Sequence, residues 1–201
     1  MTAAGSEAAS GVAAVLQLLD HRYLSEHVLG PHQKAREEFR VRELTVASSV
    51  EFSRAVAAYV QHHERATRNL TLTHEEAHGL AIEVLREAFP AIGYADGYEA
   101  ALAAGLGIKS GGMPDVVNAL ARGLRERALR HHVEAVFHTH VDVLSASSCR
   151  ELAEALCKRY GQAFRRLGVL VDEVLIAQDP RRALLRIREV LDRVLVQMEI
   201  S

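Results

Sequence analysis

The chain has 201 residues, of which 49% are hydrophobic and 25% charged, so it has the composition of an ordinary globular protein with one substantial core. Its formal net charge of -2 gives no electrostatic reason to expect a nucleic-acid or anionic-membrane partner. The first apolar run, residues 12–19, is short and has no basic segment before it, so neither a signal peptide nor a membrane span is expected.

The chain contains two cysteines, Cys149 and Cys157. Eight residues of helix separate them by about 12 Å, which is too far for a disulfide bond between them. Free thiols are typical of a reducing compartment, so we expect a cytoplasmic protein.

Apolar residues recur at spacings of three and four, which predicts an all-α protein: an irregular, single-domain bundle of about six or seven helices. Residues 1–10 are small and polar and are expected to be disordered. The first helix is predicted to end at Gly30-Pro31. A long helix is predicted from about residue 32 to residue 67, and the β-branched residues within 45–50 favour a kink or break.

Further along the chain, Thr73 and Glu76 form a predicted capping box for a helix that ends at Phe89. A short alanine-rich helix follows. The glycine-rich segment 105–112 then reads as a connector, although Lys109 at a helix start also suits an anion.

The C-terminal third contains two further helix starts. Ser148 with Glu151 is predicted to cap a helix that continues through Gly168 as far as Val174. Asp179 followed by Pro180 predicts the first residues of the last helix.

A long helix over residues 114–144 is predicted to organise the bundle. Its first half has one apolar face. In the second half the large apolar residues move to the opposite side, and ionisable residues occupy the face that they leave. A helix that is apolar on two sides lies at the centre of a bundle or contacts a partner. We therefore predict a protein interface or self-association at Val133, Phe137, Val141 and Leu144.

The segment from His74 to His78 fits the pattern H-E-x-x-H. It resembles the zinc-binding motif of zincin-type metallopeptidases, over five residues only. That resemblance implies two histidine ligands and a catalytic Glu75. The context differs from the family pattern, because Glu76 already belongs to the cap and no further histidine motif follows.

Two groups of histidines nevertheless favour a metal site. If the helices on either side of residue 70 are antiparallel, His62 lies at about the height of His78, and the two converge with His74. On the central helix, His131, Glu134 and His138 share one face with Asp142. Imidazole and carboxylate ligands on facing helices form metal sites in bundles, and they suit a transition ion such as Zn or Fe. The alternative is a solvated pair of Glu134 with His138.

These patterns leave three functions open. The first is a non-enzymatic interaction or regulatory protein, with a protein partner or a second copy and without nucleic acid or membrane. The second is a metal-binding helical protein with ligands among His62, His74, His78, His131, Glu134 and His138. The third is a protein that binds haem or another small ligand in its core, for which an aromatic content of 5% is low.

Overall fold

The computed structural model describes residues 3–43, 49–88 and 112–198, and the side chains of 11–38, 54–87 and 118–197. The regular elements in these ranges are helical, which confirms the all-α class. They are α1 (Ala3–Leu18), α2 (His21–Leu24), a π-helical turn (Ser25–Leu29), α3 (Gly30–Glu43), α4 (Ser49–Arg68), α5 (His74–Ala88), α6 (Gly112–Val136), a second π-helical turn (Phe137–Val141), α7 (Ala146–Arg166), α8 (Glu173–Gln178) and α9 (Pro180–Met198).

The chain divides into two compact units. Unit 1 consists of Met1–Ser25 and Leu129–Ser201, and unit 2 of Glu26–Ala128. Helix α6 contributes its first part to unit 2 and its end to unit 1. The expectation of a single domain stays a prediction.

In unit 1, α7 packs against both α1 and α9, and α8 contacts α7 and α9. The break between α1 and α2 is held by side chains from other elements. His132 Nε2 donates to the Leu18 carbonyl over 2.9 Å, and the Tyr160 hydroxyl donates to the Leu19 carbonyl over 3.3 Å. The α1 carbonyls therefore keep hydrogen-bond partners where the helix stops. The helical start of α1 at Ala3 contrasts with the disorder expected for residues 1–10.

Helix α7 ends earlier than its sequence pattern predicts. The backbone of Gly168 has φ 74°, and the amide of Val169 donates to the Phe164 carbonyl over 3.0 Å. These are the features of a Schellman turn, which ends a helix where glycine adopts the left-handed conformation. The prediction of one helix through Gly168 to Val174 is therefore wrong.

The observed starts of α7 and α9 agree only in part with the caps predicted from the sequence. Asp179 Oδ1 accepts from the Arg182 amide over 3.0 Å with Pro180 as the first helical residue, which confirms that cap. Helix α7 is capped by Ser145, whose Oγ accepts from the Ser148 amide over 3.2 Å. Its cap therefore lies three residues before the predicted one, because serine occurs at both positions.

Unit 2 begins with a hairpin of α3 and α4 where the sequence predicts one helix. His63 Nε2 lies 3.0 Å from His32 Nδ1. In a continuous helix those residues would lie about 46 Å apart at 1.5 Å per residue. The two helices are therefore antiparallel, and the prediction of one long helix from about residue 32 to residue 67 is wrong. Residues 44–48 between them lie outside the described ranges.

The predicted end of the first helix at Gly30-Pro31 is also wrong. Both residues lie at the start of α3, and the π-helical turn Ser25–Leu29 leads directly into it. Proline has no amide hydrogen to donate to the carbonyl of an earlier turn. A π-helical turn changes the local hydrogen-bond pattern, so the helical path continues past the proline.

The capping box of α5 is confirmed. The Thr73 amide donates to Glu76 Oε2 over 2.7 Å, and the Glu76 amide donates to Thr73 Oγ1 over 3.2 Å. Before it, Asn69 adopts the left-handed conformation with φ 53°, which lets the chain turn from α4 into α5. Helices α4 and α5 pack together, and the core of unit 2 includes Val56, Val60, Ala77, Ala81, Val84, Leu120 and Leu124.

The predicted change of apolar face along the central helix is confirmed. The predicted interface on that helix is wrong, because its residues are buried. Leu120, Leu124 and Ala128 are buried in its first half. The four side chains predicted to meet a partner are 8% exposed or less in the single chain: Val133, Phe137, Val141 and Leu144. They already lie in the interior and offer no surface to a second protein. The short alanine-rich helix and the glycine-rich segment predicted within 89–111 lie outside the described residues.

Helix α6 approaches α5 closely at Gly123. A Cβ atom at this position would overlap Val84 Cγ1. Val84 is β-branched and stiff about χ1 in a helix, so it yields poorly.

We expect Gly123→Ala to lower the free energy of unfolding by about 1–3 kcal/mol through overpacking, although alanine favours helix. Gly79→Ala in α5 is the control, because a Cβ there meets nothing within 4 Å, and it should stabilise by about 0.5–1 kcal/mol. Urea denaturation followed by circular dichroism measures both values. Equal effects of the two substitutions would contradict the close approach.

A surface cleft and a buried histidine pair

The structure does not bring the three histidines of the first predicted metal site together. His62 Nε2 lies 3.2 Å from Glu38 Oε2, and the His62 side chain is 47% exposed. His74 is exposed and His78 half-buried, with ring centroids 6.0 Å apart. The structure thus brings His74 and His78 together, while His62 pairs with a carboxylate of α3.

The second predicted group makes two separate histidine–carboxylate contacts along the central helix. His131 Nδ1 lies 3.4 Å from Glu134 Oε2, and His138 Nδ1 lies 3.5 Å from Asp142 Oδ2. The solvated pair expected between Glu134 and His138 is replaced by these two. Among the described residues, no group of three or more His, Cys, Asp or Glu side chains is arranged to hold a metal ion. The metal site stays a prediction.

The histidines that meet in the core are His32 and His63. Their side chains belong to residues 4% and 0% exposed, and their rings lie edge to face with centroids 5.1 Å apart. If residues 32–67 formed one helix, their apolar periodicity would put His62 on the buried line and His63 about 100° away from it. The structure shows the reverse, because α4 is a separate helix with its own buried face. Val56, Val60 and His63, at i, i+4 and i+7, are the signal that places His63 inside.

A buried carboxylate lies beside this pair. Glu64 is 0% exposed, its Oε2 accepts from Arg68 Nη1 over 2.7 Å, and its Oε1 lies 3.4 Å from His63 Nδ1. Burial by itself raises the pKa of Glu64, but contacts with His63 and Arg68 and the charge of Arg68 outweigh it. The pKa therefore lies below its ordinary value, and the carboxylate is ionised at neutral pH.

Burial keeps His32 uncharged at neutral pH. It lowers the pKa of His32 to about 3, and the positive groups of His63, Arg125 and Arg36 contribute in the same direction. Burial also raises the pKa of Tyr59, whose ring lies 6.2 Å from that of His63.

A different feature faces the solvent in unit 1: a cleft of about 590 Å³ along the C-terminal half of α7. The Schellman turn at Gly168 brings residues 169–171 across the end of α7. Asp172 then caps α8 by accepting from the Leu175 amide over 2.7 Å. The cleft lies among these elements and is lined by Glu154, Cys157, Lys158, Gly161, Phe164, Arg165, Val169, Leu170, Val171, Asp172, Glu173 and Ile176.

The cleft exposes large apolar side chains. Leu170 lines it and is 69% exposed. Val174 does not line the cleft, but it lies in the chain between the lining residues Glu173 and Ile176 and is 61% exposed. Both lie in a segment that the sequence assigns to the interior of a long helix, so sequence reasoning missed them. Burial raises the pKa of the Cys157 thiol, which keeps it protonated. Cys149 and Cys157 are free, as predicted.

Comparison of the chain with family models, curated proteins and solved structures gave no match. Among the described residues, no helix is both long enough and apolar enough to cross a membrane.

The buried carboxylate generates a test of unit 2. Arg68→Met leaves Glu64 ionised in the core without its cation, and we expect a loss of about 2–3 kcal/mol in the free energy of unfolding. Arg65→Met is the control, since Arg65 is an exposed arginine of the same last helical turn. Urea unfolding at pH 7 gives both values.

The double variant Arg68→Met/Glu64→Gln should recover most of the loss, because it removes the unpaired charge as well. If the double variant is no more stable than Arg68→Met, the loss has another origin.

Proposed function

We propose that the protein is an interaction protein that binds a segment of a partner protein in the unit 1 cleft. The observation that carries this proposal is the exposure of Leu170, 69%, at the mouth of a cleft of about 590 Å³. Large exposed apolar side chains that adjoin a concave surface mark binding sites in soluble proteins.

The lining residues indicate the chemistry of the bound segment. Phe164 and Ile176 are buried and give the cleft an apolar floor. Glu154, Lys158, Arg165 and Glu173 place both signs of charge around it. An amphipathic helix with large apolar residues on one face and mixed charges beside them fits such a groove. Partner binding therefore moves from the predicted interface on the central helix to the surface of α7 and α8.

The proposal is tested by charge substitution at the exposed apolar residues. Leu170→Asp and Val174→Asp should each weaken the binding of an amphipathic helical peptide by tenfold or more, because a desolvated carboxylate replaces an apolar anchor. Peptides selected from a phage-displayed library of such helices against the unaltered chain are the probe, and fluorescence anisotropy measures their affinity.

Val143→Asp is the matched control, since Val143 is an exposed valine of the same unit that does not line the cleft. Bound peptide should also protect Cys157 from alkylation, because Cys157 lines the cleft. Peptides that bind equally to all three variants would overturn the proposal. Protection of Cys157 by small hydrophobic molecules but by no peptide would indicate a small-ligand site instead.

A second candidate function, metal binding, is favoured by one observation: the 6.0 Å separation of the His74 and His78 rings at the start of α5. Histidines at i and i+4 share a helix face, and imidazole nitrogens bind Zn at about 2.0–2.1 Å. We propose that a change of rotamer lets both rings bind one ion at the start of α5.

If this pair binds metal, protein purified without a histidine tag will titrate with Zn in a calorimeter at one site. Replacement of both histidines, His74→Ala/His78→Ala, should abolish that site. His138→Ala, which removes an exposed histidine from the central helix, should leave it intact. Equal binding by both variants would assign the metal to adventitious surface histidines.

A further inference from the structure

The contact between His32 and His63 depends on one shared hydrogen. A hydrogen bond between two ring nitrogens needs an N–H on one and a lone pair on the other. The 3.0 Å distance from His63 Nε2 to His32 Nδ1 is a hydrogen-bond distance. If both imidazoles are protonated, both nitrogens carry hydrogen, no acceptor remains, and two like charges face each other in the core.

The groups around the two rings stabilise one added proton, on His63, better than a second one on His32. His63 Nδ1 faces the Glu64 carboxylate at 3.4 Å, so an imidazolium at His63 has a counter-charge. Among the described side chains, the groups that act on the pKa of His32 are His63, Arg36 on its own helix and Arg125 on α6, and none of these is a carboxylate. A second proton, on His32, therefore meets repulsion on several sides.

The other described charged and titratable groups around the pair do not balance a positive charge on His32. On α4, Arg68 already neutralises Glu64, and Tyr59 stays a neutral phenol. Helix α5 packs against α4 through apolar residues, namely Ala77, Leu80, Ala81, Val84 and Leu85. His32 can therefore take up its proton only when α3 separates from α4 and water reaches the ring.

We propose that unit 2 is an acid-sensitive switch, in which the antiparallel pairing of α3 and α4 holds while His32 and His63 share one hydrogen and opens when both are protonated. Opening uncovers the apolar sides of both helices, including Ala35, Val56 and Val60. The switch does not involve the unit 1 cleft and stands whether or not a partner binds there.

The sign of the pH dependence follows from His32. Its pKa is about 3 when buried and 6.5 when exposed to water, so the open form binds more protons between these values. The open state is therefore favoured as the pH falls below about 6.5. The opening constant rises by up to tenfold per pH unit for each histidine that takes up a proton on opening.

Hydrogen–deuterium exchange of the full chain tests the switch between pH 5.0 and pH 7.5, after correction for the intrinsic exchange rate. We expect protection of amides within residues 54–63 to fall about fivefold from pH 6.5 to pH 5.5, because His32 has a pKa of 6.5 when exposed to water and about 3 when buried. Amides of α7 in unit 1 serve as the internal control and should lose less. Constant protection of residues 54–63 would overturn the proposal.

Substitution of His32 distinguishes an effect of the histidine pair from a general effect of acid on the fold. His32→Gln keeps a side chain that donates and accepts but does not titrate, so it should flatten the pH dependence in residues 54–63. His74→Gln, at an exposed position on α5, should leave it unchanged. A pH dependence that persists undiminished in a folded His32→Gln variant would contradict the switch.

A measurement on the unaltered chain covers the case in which His32→Gln does not fold. Ring ¹⁵N chemical shifts report the protonation state of each histidine directly. His32 should remain neutral to pH 5.5 in the closed form and appear protonated only in the open form. An imidazolium at His32 in a chain that retains its α4 protection would refute the coupling.

Discussion

The hydrogen bond between the imidazoles of His32 and His63 is the contact that fixes how α3 lies against α4. Both rings are buried, and a buried polar group without a partner costs about 1–3 kcal/mol. Sliding one helix past the other by a turn, about 5.4 Å, would leave both rings without this partner. Apolar contacts tolerate such a slide far better, so the polar pair specifies the register, as a buried asparagine does in a coiled coil.

Unit 1 also gives hydrogen-bond partners to polar groups, here the backbone carbonyls at the ends of helices. The carbonyls of Leu18 and Leu19 receive hydrogen bonds from His132 and Tyr160, and Arg181 Nη2 donates to the Leu144 carbonyl over 2.8 Å. Each donor comes from a different helix. These bonds therefore fasten the ends of α1 and of the central helix to α7 and α9, which carry one side of the cleft or adjoin it.

The two units place ionisable and apolar groups in opposite ways. In unit 2, imidazoles and a carboxylate lie in the interior, where a change of charge acts on the packing of helices. In unit 1, Leu170 and Val174 lie at the surface beside a cleft, where they are available to a ligand. The proposed binding function and the proposed response to acid therefore use separate parts of the chain.

Local patterns in the sequence determined the helical class, the capping box at Thr73 and Glu76, the start of α9 and the change of apolar face along the central helix, because these depend on neighbours within a turn or two. Only the tertiary structure decided which apolar residues meet water. Val133 and Phe137 were predicted to form an interface and are buried, whereas Leu170, in the segment predicted to continue the helix to Val174, is 69% exposed. It also decided which histidines meet, since His32 and His63 are 31 residues apart and come together only through the break before α4. Periodicity gives the faces of a helix, but what covers each face depends on where the chain turns back.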